Sequence, residues 1–246
     1  MIPAFFLPFQ GDAFMKSDMY SKFAQQYDDA VQDNIYNAQL ERPTLQSMLD
    51  AIEGKDIIDL GCGSGIYAEY FLAHHARSVT CIDFSDDMVA IVKRKFGDKV
   101  HAYQQDLSKG LPKEPNASFD LAVSPLVLHY IEDLNGVFKD VHRVLKPGGY
   151  LAFSTHHPFA DFECTTTGNY FDRELVREEW NTVGEPVQVA FYRRSLAEIT
   201  DAITDAGFTI TQISEGKIAK EAKLICEETY ERLRNQPNFI FFKCKK

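Results

Sequence analysis

The chain is short of positive charge: 26 Lys and Arg stand against 36 Asp and Glu, a formal net charge of −10 over 246 residues. A surface of that sign repels polyanions, so general nucleic-acid binding is not expected. Cysteine is sparse and shows no pairing pattern. Cys62, Cys81, Cys164, Cys226 and Cys244 are an odd set without a CxxC pair, which excludes a disulfide scaffold or structural zinc as the simple reading and fits reduced thiols in a cytoplasmic protein. No run reads as a membrane span. The opening MIPAFFLPFQGDAF is apolar but short, is broken by Pro3 and Pro8, and lacks the basic start of a signal peptide. Repeats, low-complexity tracts and a Walker sequence GxxxxGK[ST] are all absent. What is there is ordinary for a folded chain: 45% hydrophobic and 25% charged residues, at a length that suits one large domain or a domain with an insertion.

Residues 1–16 read as an arm, and 18–50 as two helical stretches. The first carries Met19, Phe23 and Tyr27. The second starts at Pro43 and sets Leu45, Met48, Leu49 and Ile52 on one side. Beyond them short apolar strands alternate with helices. Strands are predicted at Asp56–Leu60, Val79–Ile82, Val100–Tyr103, Phe119–Ser124 and Gly149–Ser154. Helices are predicted at 66–73, from Asp86, and over Leu134–Leu145, ahead of a Lys146-Pro147-Gly148-Gly149 stop. That alternation specifies a parallel sheet covered on both faces, an α/β fold, with strand order left open. Residues 155–194 break the rhythm, with aromatics, polar groups and an alternation at Val187, Val189 and Phe191, and read as an insertion. A helix resumes at Ser195, which makes a capping box with Glu198. Late strands follow at 208–213 and 239–243, with a helix at 219–234 between them.

The central signal is DLGCGSG at Asp59–Gly65, directly after an apolar strand. Its three glycines permit a tight turn and close approach of backbone to a ligand. A dinucleotide fingerprint would place its last glycine or alanine at position 66, where Ile66 stands, which weakens a nicotinamide-cofactor reading. Asp83 ends the second strand, where a carboxylate can accept both hydroxyls of a ribose; capping of the next helix is its other reading. Asp106 follows the third strand. Its carboxylate or adjacent backbone can meet an adenine amino group, or it is a plain loop acid. Sites at the carboxyl ends of consecutive strands define one crevice.

The motifs DIIDLGCGSG, VTCIDFSDDMV, QQDLSKGLP, FDLAVSPLVLHYIED and VLKPGGYLAFS resemble those of the class I S-adenosylmethionine-dependent methyltransferases, particularly the small-molecule branch related to ubiquinone and menaquinone biosynthesis. The likeness covers about residues 18–155 and returns weakly at RRSLAEITDAITDAGF. It implies a Rossmann-like three-layer sandwich with a seven-stranded, mostly parallel sheet of order 3-2-1-4-5-7-6. It also implies a helical lid within residues 1–50 and a cofactor-binding domain over 51–246. It carries S-adenosyl-L-methionine to this chain as cofactor, with S-adenosyl-L-homocysteine as product. The implied binding residues are Asp59, Gly61, Cys62 and Gly63 under the methionine part, Asp83 at the ribose, and Phe84 beside adenine with Met88 nearby. Asp106 and Leu107 fall at the adenine edge, Ser124 near the ammonium, and Tyr20 or Tyr27 at the methionyl end.

The implied reaction is methyl transfer to a small-molecule acceptor at oxygen or carbon. A small-molecule N-methyltransferase and a non-catalytic cofactor-binding regulator are the alternatives, and the NPPY-type signature of nucleic-acid amino methylation is missing. His156 and His157, after the fifth strand, are candidate general bases, and His129, after the fourth, is a candidate to orient the acceptor. Each has a bland alternative in holding or capping local structure. No metal site is expected, and the chain is expected to act as a monomer or homodimer. Arg193 and Arg194 either meet an acceptor carboxylate or decorate the surface, and one of them is expected at the surface.

Overall fold

The computed structural model describes residues 17–246, so the arm assigned to residues 1–16 lies outside the described residues. The first strand, β1 (Asp56–Leu60), is the apolar run DIIDL, and it stops where the glycines begin. Helix α3 (Ile66–Ala73) follows, preceded by α1 (Ala24–Ala30) and α2 (Arg42–Ser47). Then come β2 (Ser78–Asp83), α4 (Asp86–Phe96), β3 (His101–Gln104), β4 (Phe119–Pro125), α5 (Leu134–Val144) and β5 (Leu145–His156). The sheet is completed by β8 (Thr209–Ser214) and β9 (Phe239–Lys245).

Seven strands pair in the order β3-β2-β1-β4-β5-β9-β8. The β1, β2, β3, β4 and β5 pairings are parallel, and β9 runs antiparallel between β5 and β8. Counting β8 and β9 as the sixth and seventh strands of this sheet, the order is 3-2-1-4-5-7-6, as the resemblance implied. Successive side chains of β1 feed two cores. Ile57 packs with α3, α4 and α8 (Glu227–Asn235) through Phe71, Val92 and Leu233, whereas Ile58 packs with α5 and α7 (Leu196–Asp205) through Phe138 and Ile203. Helices on both faces make this the Rossmann-like three-layer sandwich.

Three expectations change. The fifth strand begins before the Gly148-Gly149 turn rather than after it. The helix predicted at 219–234 divides into a 3-10 turn, Lys220–Leu224, and α8. The stretch at 155–194 holds a short helix, α6 (Pro158–Asp161), and an antiparallel hairpin of β6 (Glu174–Trp180) and β7 (Val187–Arg193). The alternation in β7 was visible in the sequence, but the charged β6 was not. Val187 and Val189 of the hairpin pack on Met19 and Phe23, so the N-terminal segment is clamped between the hairpin and α4, where Ala24 meets Met88 and Ile91.

Candidate functional site: an acid-lined cleft at the strand ends

β1 ends in a turn built on three left-handed glycines, Gly61 (φ 73°), Gly63 (φ 52°) and Gly65 (φ 87°). A side chain at Gly61 would fall 2.3 Å from Val127 Cγ2, and one at Gly65 would fall 2.7 Å from Phe96. The first glycine therefore admits the chain after β4, and the last lets α3 start against α4. Gly63 is different: nothing lies within 4 Å of its missing Cβ. Its bare face opens into a cleft of about 1160 Å³ lined by the glycine turn, Asp83, Phe84, Leu107, Leu126, Tyr20, Tyr27 and Tyr130, among others.

Asp83 turns toward the glycines. Its Oδ2 accepts from the Gly63 amide at 2.8 Å, and its Oδ1 accepts from the Ser85 amide at 2.8 Å. Each oxygen keeps a lone pair for a ligand hydroxyl. Desolvation raises the Asp83 carboxyl above the usual carboxylate range, opposed by the Ser85, Gly63 and Phe84 amides. The cap of α4 comes from Ser85, whose Oγ accepts from Met88 N at 3.3 Å. Asp59 is fully buried at the end of β1, and neither carboxylate oxygen has a partner. Burial, then Asp83 and Glu41, push its carboxyl well up. Asp59 is not part of the cleft lining, so this orphaned acid acts on the cleft through its field and not by contact.

The other residues singled out in the sequence divide into two groups. Tyr20, Tyr27, Gly61, Cys62, Gly63, Asp83, Phe84 and Leu107 line the cleft. Met88 is buried below it against Ala24 and Ile91. Ser124 is fully buried with its hydroxyl donating to Leu60 O at 3.2 Å, and the following Pro125, Leu126 and Val127 form the wall. Asp106 is not on the wall. Its Oδ1 accepts from Ser108 N (2.9 Å) and Ser108 Oγ (2.6 Å), capping the turn Leu107–Lys109, while Gln105 and Leu107 face the cleft.

The histidines also lie elsewhere. His129 and His156 stack at 3.8 Å between ring centroids and border a separate small cavity with Asp161 and Arg194. His157 Nδ1 accepts from Phe159 N at 3.1 Å to cap α6, and its Nε2 is 3.0 Å from Glu215 Oε1. None of the three rings is in the cleft lining, whereas His156 and His157 were expected to face the crevice from the end of β5 and His129 from the end of β4. His129 and His156 turn to the small cavity, with His156 Nδ1 3.3 Å from Asp161, and His157 is engaged by Phe159 and Glu215.

Both arginines are buried, at 1% and 5% exposure, against the expectation of a surface residue. Arg193 pairs with Glu174 and donates to Asn169 O at 2.8 Å, fixing the insertion. Arg194 donates to Ile131 O at 2.6 Å and holds the turn after β4.

Sequence reading missed Tyr130, Tyr67 and Glu41. Tyr130 OH and Tyr20 OH are 2.7 Å apart, and Ser85 Oγ donates to Tyr20 O, so Tyr20 spans from the end of β2 to the turn after β4. Glu41 is 3% exposed on the cleft wall. The available signal was an acid among the apolar positions Leu40, Leu45 and Met48.

Residues 58–153 match the family described as "Methyltransferase domain". The chain is 28% identical over 226 residues to a malonyl-[acyl-carrier protein] O-methyltransferase of Pseudescherichia vulneris, covering 82% of this chain and 85% of that one. It is 33% identical over 107 residues to a ubiquinone biosynthesis O-methyltransferase of Pseudomonas syringae pv. tomato, an alignment that spans 42% of this chain and 45% of the relative. A solved S-adenosylmethionine-dependent methyltransferase from Mesorhizobium loti is 28% identical, with a TM-score of 0.68 over 84% of this chain and 97% of that one. With the strand order and the cradle already described, these likenesses define the class: an S-adenosylmethionine-dependent methyltransferase of the class I fold. Its cofactor is S-adenosyl-L-methionine, which fits the open face of Gly63 and the spare lone pairs of Asp83.

Proposed function

We propose that the chain methylates a small-molecule acceptor, at oxygen in preference to carbon. Two of the relatives are O-methyltransferases by name, a malonyl-[acyl-carrier protein] O-methyltransferase and a ubiquinone biosynthesis O-methyltransferase. The observation that carries the reading is the Asp83 carboxylate, 2.8 Å from the Gly63 amide. It brings the end of β2 to the turn after β1, the geometry a nucleoside needs. Asp83 receives the ribose hydroxyls, Phe84 and Leu107 flank the base, and Asp106 acts by holding the turn that presents Leu107. Asp59, Gly61, Cys62 and Gly63 underlie the amino-acid end. Ser124 sets the backbone that leads into the Pro125–Val127 wall, and Met88 supports the floor.

The bound cofactor supplies a methyl group on a positively charged sulfur, so its leaving group needs no protonation. The residues of the chain align the acceptor and exclude water. Tyr20, Tyr27, Tyr130, Val127 and Ile131 form the acceptor side of the cleft. Burial pushes all three phenols above their ordinary range, so they stay neutral; one of Tyr20 and Tyr130 donates to the other, which leaves that partner and Tyr27 as hydrogen-bond donors. Donors of that kind suit an acceptor oxygen that is already ionised, such as a carboxylate, and such an acceptor requires no histidine base. Among the described residues, those at 17–50 serve as a lid on the domain formed by residues 51–246. A cytoplasmic monomer or homodimer is the setting we propose.

Isothermal titration with S-adenosylhomocysteine tests cofactor binding, and mass spectrometry of a cell extract incubated with labelled cofactor identifies the acceptor. Label on a carboxyl or hydroxyl oxygen is the expected result. No binding by the folded protein overturns the assignment, and label on nitrogen replaces it with the N-methyltransferase reading.

A further inference from the structure

Glu41 closes the turn Asn37–Glu41, outside the segment that matches the methyltransferase domain family. It is 3% exposed on the cleft wall. Tyr67 OH, from α3, donates to both carboxylate oxygens at 3.2 Å, and Ser154 Oγ, from β5, donates to Oε1 at 2.7 Å. Both donors are neutral. Arg42, next in the chain, turns its guanidinium to Val31 O (2.6 Å) and Gln32 O (3.4 Å). Among the described residues no cation stands within ion-pair distance of Glu41. The other ionisable groups that act on it or feel it are Asp59 on β1, itself unpartnered, and Tyr27 on α1. Glu41 therefore faces the cleft, Asp59 is buried off its wall, and Arg42, also on the wall, acts on Glu41 from beyond ion-pair distance, an arrangement that a positive ligand in contact with Glu41 would relieve.

We propose that Glu41 is the acid that receives the α-ammonium of the cofactor's amino-acid end, and that it gives up its proton to solvent when that end binds. The inference rests on the cofactor assignment above. The geometry carries it: a carboxyl from the lid segment, on the cleft wall, held in place by two hydroxyls and without an ion-pair partner among the described residues. Burial raises Glu41 from the ordinary 4.5 to about 7 against the pull of Ser154, Tyr67 and Arg42, so the proton to be released is present near neutral pH. The same residue ties the ligand to the chain after β4. Ser154 Oγ accepts from the Leu126 amide at 3.1 Å, and Leu126 holds a left-handed φ of 53° that a leucine seldom adopts.

The test compares two ligands by titration calorimetry in buffers of different ionisation enthalpy. S-adenosylhomocysteine has the amino-acid end, whereas 5′-methylthioadenosine has the nucleoside without it. With the intact chain, S-adenosylhomocysteine should bind about tenfold more tightly at pH 8 than at pH 6 and release a proton, while methylthioadenosine shows neither effect. Glu41→Gln should abolish proton release, weaken S-adenosylhomocysteine about tenfold at pH 8, and leave methylthioadenosine unchanged. Should Glu41→Gln fail to fold, Tyr67→Phe serves instead. It removes a donor to the ionised form, so proton release should move to higher pH. Proton-neutral binding of S-adenosylhomocysteine by the wild type overturns the proposal, and so does equal weakening of both ligands in Glu41→Gln. Failure of the wild type to bind either ligand at any pH instead defeats the cofactor assignment.

Discussion

The Asp83 carboxylate and the Gly63 amide, 20 positions apart in sequence, meet at 2.8 Å where β2 and the turn after β1 converge. The bond pre-positions the acid and leaves it one lone pair per oxygen. Asp83→Ala should therefore lose two charge-assisted ribose contacts at once, each worth roughly 1.5–3 kcal/mol. At about 1.4 kcal/mol per tenfold, the dissociation constant for S-adenosylhomocysteine should rise at least about 100-fold. Calorimetry on a variant with native circular dichroism checks this; a change under fivefold would remove Asp83 from the ribose.

Gly61 and Gly63 share a left-handed backbone but not a neighbourhood, so the same substitution should separate two roles. Alanine at either site meets a left-handed penalty of roughly 1–2 kcal/mol. In Gly61→Ala the new methyl also strikes Val127 at 2.3 Å, so a clear loss of melting temperature is expected. In Gly63→Ala the methyl meets no protein atom and enters the cleft. The chain should fold with a modest loss and fail to bind S-adenosylhomocysteine. Equal effects of the two variants on stability and binding would contradict this division.

His157 uses one ring nitrogen to cap α6 and points the other at Glu215, while His156 stacks on His129. Once an acceptor is in hand, His156→Ala and His157→Ala should retain cofactor affinity. Their turnover should fall far less than the roughly 100-fold or greater loss that removing a general base produces. A pH-dependent collapse of turnover in either variant would restore the base role suggested by the sequence.

The parts legible in the sequence are those fixed locally. An apolar run ended by glycines gives β1, its turn and the start of α3 with their bounds, and Asp83 follows from its place at the next strand end. What was hidden depends on partners distant in the chain. The strand β6 reads ELVREEW and looks like a charged loop until β7 pairs with it. Arg193 and Arg194 look like surface residues because the carbonyls they donate to, and the carboxylate that pairs with Arg193, lie 19 or more positions away. Glu41 looks like an ordinary helix acid because its burial is imposed by α3 and β5. Asp106 was placed at the right strand end, but its hydroxyl and amide partners sit two residues on and turn it away from the cleft.

Tyr20 and Tyr130 join segments 110 residues apart through their hydroxyls. Their rings also meet edge to face, with centroids 5.9 Å apart. Phenylalanine at either position keeps the ring contact and removes only the hydroxyl. A double-mutant cycle of Tyr20→Phe and Tyr130→Phe in urea should show a coupling of about 1 kcal/mol. A coupling of zero would mean that the two hydroxyls are held apart in solution and that Tyr20 does not strap the cleft.

Two buried groups should pull the stability of the unliganded chain in opposite directions with pH. Glu41 is raised from 4.5 to about 7, so its contribution is full below 4.5 and is lost as pH rises through 7. Between pH 7.5 and 5.5 it should add about 2 kcal/mol at most. His129 is driven well below its usual 6.5 by burial, then by His156 and Arg194. Its contribution is present above 6.5 and is lost as pH falls, because the unfolded chain takes up the proton first. Urea titrations at pH 7.5 and 5.5 separate the two. Relative to wild type, Glu41→Gln should make acidification more damaging, and His129→Leu should make it less damaging. If Glu41→Gln leaves the pH dependence unaltered, Glu41 is already ionised at pH 5.5, and the uncompensated acid at the end of the cleft is held by something other than its proton.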